Sequence, residues 1–217
     1  MKIGRKGNTD MGLFSKKQES EEQIAERLCK DAGHVIEMFK SVFTKPQGFD
    51  ARSAVIFVSA LTGYACHQAV VANKEPVQLL ETNDGRKFYF GDSVNKYLLE
   101  SKLNTVGMVA AVTGISADDI HAIVINCVSV IGDNSYTIGG VNPDWLYKEI
   151  KNCWNGIYNN MTGRYCKSPS EWPILFGIVT QNIVNIAVSG GAPKEEAGKL
   201  SAEAMIYMSK YDDDSLL

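Results

Sequence analysis

Histidine is scarce in this chain of 217 residues: there are three, His34, His67 and His121. Each falls in a different predicted helix, and none has a second ligand four residues away. Zinc sites need three or four such donors at suitable spacing. The expectation is therefore no metal and no cofactor, with a cross-helix set of His67, His121 and Cys127 as the remaining zinc arrangement. The glycines form neither GxxxxGK[ST] nor GxGxxG, so the usual phosphate loops are missing. Basic clusters are also missing. With 22 Lys and Arg against 25 Asp and Glu, the formal charge is -3, which argues against nucleic acid as a partner. The five cysteines are odd in number and include no CxxC pair, which suits free thiols in a reducing cytosol. The opening Met1 to Asp10 lacks the apolar core of a signal peptide. The expected location is cytoplasmic.

What the chain does have is apolar helix. Ser53 to Asn73 is apolar nearly all the way round, which marks either a membrane span or the central helix of a bundle. His67 and Gln68 inside the run favour the bundle, so no membrane is expected. Ala60, Gly63 and His67 lie at helical spacing and offer a neighbouring helix close approach. Ile174 to Ser189 is the second such helix, again interrupted by amides, at Gln181, Asn182 and Asn185.

Around these two, capping signals mark the other elements. Ser20, three before Gln23, opens a helix carrying Ile24, Leu28, Ala32, Val35, Phe39 and Val42 on one stripe. Asp50 is the expected cap of the central helix. Val77 to Phe90 reads as a β-hairpin about Asn83-Asp84-Gly85, with Glu81 facing Lys87 and Leu80 facing Phe88. Short helices follow over Val94 to Ser101 and Val106 to Thr113. The helix after Ser116 has Ile120, Ile123, Val124, Cys127, Val128 and Ile131 in an amphipathic pattern and is expected in the core. Pro143 opens a helix to about Asn159, and Pro193 opens the last, to about Tyr211. The fold class is mainly α: about eight helices around two buried ones, with one hairpin over residues 77–90. Residues 1–19 read as a disordered lead-in, 20–211 as a single domain and 212–217 as an acidic tail.

Several residues invite chemistry. Cys66-His67 pairs a thiol with an imidazole, but neighbours on a helix point about 100° apart, and both sit in an apolar run where a packed thiol and a hydrogen-bonded core imidazole are the plainer reading. Gly91-Asp92-Ser93 resembles the opening of the GDSL hydrolase motif, although Val94 replaces its leucine and the repeating strands of that fold are missing. Asp92 or Ser93 as a helix cap is the plainer reading. The run Arg86, Lys87, Tyr89, Asp92, Asn95 and Tyr97 joins hairpin to helix where a cleft could form. Gln181, Asn185 and Ser189 line one stripe of an apolar helix, as a core network or a polar cavity.

Two functions emerge from these features. The first is a cytosolic binding or protein-interaction module acting as a homo-oligomer, since no catalytic constellation assembles and a two-stranded hairpin needs a partner. Trp145, Trp154 and Trp172 are its candidate anchors. The alternative is an enzyme or small-molecule-binding protein with a pocket between the central helix and the hairpin-to-helix junction. There His67 and Asp92 would be catalytic, and Tyr89, Asn95, Gln181 and Asn185 would bind ligand.

Overall fold

The structure is a computed structural model that describes residues 19–211. The acidic tail and, apart from Glu19, the lead-in lie outside the described residues. About 70% of the described residues are helical, with 7 longer helices among them. In order these are α1 (Glu21–Phe43), α2 (Ala51–Ala72), α4 (Thr105–Thr113), α5 (Ala117–Ser129), α6 (Pro143–Ile157), α8 (Trp172–Ser189) and α9 (Lys194–Met208). Two single turns, α3 (Asp92–Asn95) and α7 (Gly163–Tyr165), and two π-helical segments, Lys96–Glu100 and Tyr158–Thr162, lie between them. The strands form two antiparallel pairs: β1 (Thr44–Lys45) with β2 (Gly48–Phe49), and β3 (Gln78–Glu81) with β4 (Lys87–Phe90).

Helix α2 is the organising element. It packs against α8 and α9, with smaller contributions from α6 and α1. Asp50 accepts the Ser53 N–H at 3.2 Å and caps it, as expected. Its residues from Ala54 to His67 are buried except Phe57. Gly63 sits where α9 crosses: a Cβ there would meet the Met205 carbonyl oxygen at 2.1 Å. Only glycine permits that approach. Hydroxyls stitch the same three helices together. Thr62 and Thr180 are 2.7 Å apart, and Ser59 and Ser201 are 2.7 Å apart, all four fully buried. Thr62 also donates within its helix or to the Phe176 carbonyl, so these buried hydroxyls have partners.

The end of α2 is closed by a Schellman motif. Lys74 N–H bonds to Val71 O and Glu75 N–H to Val70 O, with Lys74 at φ +56°. Pro76 then prevents further helix. At the other end of α1, the expected Ser20–Gln23 capping box is present. Glu19, at the end of the expected lead-in, belongs to the folded body: it pairs with Arg27 at 3.2 Å and Lys167 at 2.7 Å. Arg27 also pairs with the buried Glu171 at 2.8 Å and donates to the Tyr165 carbonyl, holding α1 to the entry of α8.

Two of the expected elements need correction. Helix α5 lies at the margin of the core and not within it. Of its stripe only Cys127 is buried; Ile120, Ile123 and Val124 are half-covered by α9 and its neighbours, while Val128 and also Ile125 are exposed. Secondly, neither Asp92 nor Ser93 caps the short helix. Gly91, at φ 141°, occupies the N-cap position, and Asp92 sits exposed in the first turn.

Candidate functional site

The hairpin has the register its charges and apolar pairs suggest: Gln78–Phe90, Leu79–Tyr89, Leu80–Phe88 and Glu81–Lys87. Its attachment to the body is less obvious. Tyr89 N–H donates to the Lys210 carbonyl at 2.6 Å, and Phe88 bridges Tyr211. The end of the described chain thus runs along the free side of β4. Strand β4 is a middle strand, and β3 is left as the edge.

The polar-aromatic run after the turn does not converge on one cleft. Arg86 is buried: it pairs with Asp84 at 2.8 Å, lies 3.8 Å from Asp144, and donates to the Gly132 carbonyl at 2.7 Å. Asp144 also accepts the Tyr211 hydroxyl. Tyr89 turns the other way, its ring 4.8 Å from that of His67. Tyr97 goes elsewhere again, its hydroxyl 2.9 Å from Glu75, 3.1 Å from Ser170 and 3.2 Å from Asn73. Burial raises its pKa, opposed in part by the Ser170 bond.

His67 is fully buried among Tyr64 and Tyr89. Of the other predicted site residues, Tyr89 lies against its ring. Asp92 is exposed, and Asn95 is half-buried beyond the first turn of α3. Gln181 donates to the Met108 carbonyl at 3.0 Å and ties α8 to α4. Asn185 and Ser189 are exposed, so the expected buried amide stripe does not exist. Thr62 pairs with Thr180, one position before Gln181.

Four of the five thiols, all but the exposed Cys29, are structural in character. Burial pushes Cys66, Cys127 and Cys166 up to about 12 and Cys153 up to about 11, far from a thiolate at neutral pH. His121 and His34 are exposed while His67 is fully buried, and no group of three metal-ligating side chains converges among the described residues. The tryptophans divide: Trp154 meets Tyr64 and Trp172 edge to face, and Trp172 meets Tyr158 in the same way, while Trp145 is 54% exposed.

Three features went unread in the sequence. Lys210 is buried with its ammonium 5.1 Å from the Phe90 ring, and burial lowers its pKa. A small apolar pocket of about 190 Å³ opens between the starts of α2 and α9, walled by Ala51, Val55, Ala187, Pro193 and Ala197 with Arg52 at its rim. The third is the open edge itself. All four residues of β3 are exposed, including Leu79 and Leu80, and Leu80 shares a shallow concavity with Ile131 just beyond α5. The exposure of Ile125 and Val128 places more apolar surface on that helix. Comparison of the chain with family models, with curated proteins and with solved structures finds no match.

Proposed function

We propose that this chain is a helical protein-interaction module of the cytosol that works as a homo-oligomer. The observation that carries the reading is β3, a strand whose four residues are all exposed at the edge of its sheet, two of them leucines. Unpaired strand edges bearing apolar side chains are natural templates for another chain, and proteins that stay monomeric usually blunt them with lysine, proline or a bulge. Here the edge carries Gln78, Leu79, Leu80 and Glu81: Glu81 is its one charge, and lysine, proline and bulge are all missing from the strand. The exposed Ile125 and Val128 extend the apolar surface on α5. Size-exclusion chromatography with light scattering tests this. A mass that rises above the monomer with loading concentration is expected, and a monomer at every concentration overturns it.

A second reading, binding of a small molecule, is supported by the pocket between the starts of α2 and α9. The junction first suspected is less suited, because the Tyr89 ring packs against His67 there. A thermal-shift screen against metabolites separates the two readings, since a ligand that binds the folded chain raises its melting temperature.

A further inference from the structure

Resting on the self-association reading, we infer that β3 pairs antiparallel with β3 of a second copy about a two-fold axis at Leu80. The backbone itself sets the choice of register. Thr82 N–H bonds to Arg86 O, so that pair is a hydrogen-bonded one. Pairs alternate along an antiparallel ladder, so Leu80–Phe88 and Gln78–Phe90 are hydrogen-bonded too, whereas Leu79–Tyr89 and Glu81–Lys87 are not. The Tyr89 N–H confirms the alternation from the other strand, because it points away from β3 to Lys210. The N–H and C=O groups of Leu79 and Glu81 therefore point outward from the sheet.

Three antiparallel registers bring outward groups together. One sets Glu81 against Glu81 of the second copy, placing like charges directly opposite. One sets Leu79 against Leu79 and drives each Glu81 onto Val77, at the half-buried start of the hairpin. The third sets Leu79 against Glu81 in both directions. It centres on the strand, keeps the two carboxylates apart, and leaves each Glu81 its Lys87 neighbour within the hairpin. It also makes Leu80 and Leu80 of the second copy a non-hydrogen-bonded pair, the closer kind, with both side chains on one face. Each exposed Leu80 thus meets Leu80 of the second copy, as a residue on the axis of a two-fold interface must. A foreign strand would need to supply this pattern by chance; a second copy always has it. A strand of this length buries less than the roughly 800 Å² per partner of a standard interface, so a dissociation constant in the micromolar range is expected.

The test uses the full chain with Cys29, the exposed thiol, replaced by serine. Under mild oxidation Leu80→Cys should form a disulfide-linked dimer, while Leu79→Cys, which would face Glu81, should not. In parallel, amide exchange is followed by NMR as protein concentration rises. The Leu79 and Glu81 amides should slow, whereas the Leu80 amide, bonded to Phe88, should be slow throughout. If the wild type dimerises but Leu80→Cys does not crosslink and those two amides stay fast, the β3 assignment is overturned and self-association stands by another surface. If the wild type is a monomer throughout, self-association itself falls. Exchange that slows only on adding another protein would assign the edge to a foreign strand and also overturn the inference.

Discussion

Leu80 stands directly opposite Phe88 across the hairpin, yet Phe88 is fully buried against Tyr207 and Tyr211 while Leu80 is 46% exposed. One strand of the pair belongs to the core and the other does not. In the monomer, Phe88→Ala should cost about 3–5 kcal/mol, the usual loss for a buried aromatic, whereas Leu80→Ala should stay below about 1 kcal/mol. Urea unfolding at a concentration too low for association measures both. Equal losses would mean that β3 is as well packed as β4.

The crossing of α2 and α9 at Gly63 has no room for a methyl group, because backbone rather than a movable side chain stands in the way. Gly63→Ala should destabilise by about 3 kcal/mol. Gly156→Ala, in α6 with nothing within 4 Å of a new Cβ, should instead stabilise by about 0.5–1 kcal/mol. Melting temperatures of the two variants should therefore move in opposite directions.

Lys74 holds the left-handed position of a Schellman motif that glycine usually fills. Lys74→Gly should relieve the strain and add about 1 kcal/mol. A loss of stability on thermal denaturation would show that the lysine side chain contributes more than its backbone costs.

Lys210 is buried against Phe90 and has a lowered pKa, chiefly from desolvation. A base whose pKa is lower folded than unfolded binds more protons unfolded between those two values, so stability rises with pH across that window. Lys210→Met should gain about 1 kcal/mol at pH 7. The advantage over wild type should shrink as pH climbs through the window toward the unfolded-lysine value near 10.4. Burial raises the pKa values of Tyr207 and Tyr211, so they titrate above that window, and the difference between the two proteins is the quantity to follow. An advantage independent of pH would remove the charge from the explanation.

The local grammar of the chain was legible from its sequence. The Ser20 capping box, the Asp50 cap, the hairpin register and the two buried helices all follow from signals within a few residues of one another. What escaped depends on distant chain. That β4 is a middle strand rests on Lys210 and Tyr211, whose pairing leaves no period in the sequence. The stripe on α5 showed correctly which residues share a face, but periodicity does not reveal whether neighbours cover the whole of that face. On α8, residues four apart drift about 40° round the helix, enough to carry Asn185 from the interface that holds Gln181 out to solvent. Among the candidate site residues, the sequence placed His67 inside, and nothing in it showed that the Tyr89 ring would lie against it.

Sedimentation velocity on the wild type and on Leu80→Lys, over a concentration series spanning the micromolar range, bears most directly on the open strand. The wild type should shift from monomer to dimer, and the lysine variant should remain a monomer with an unchanged circular dichroism spectrum. A wild type that never leaves the monomer, or a lysine variant that dimerises as well as the wild type, would contradict the account.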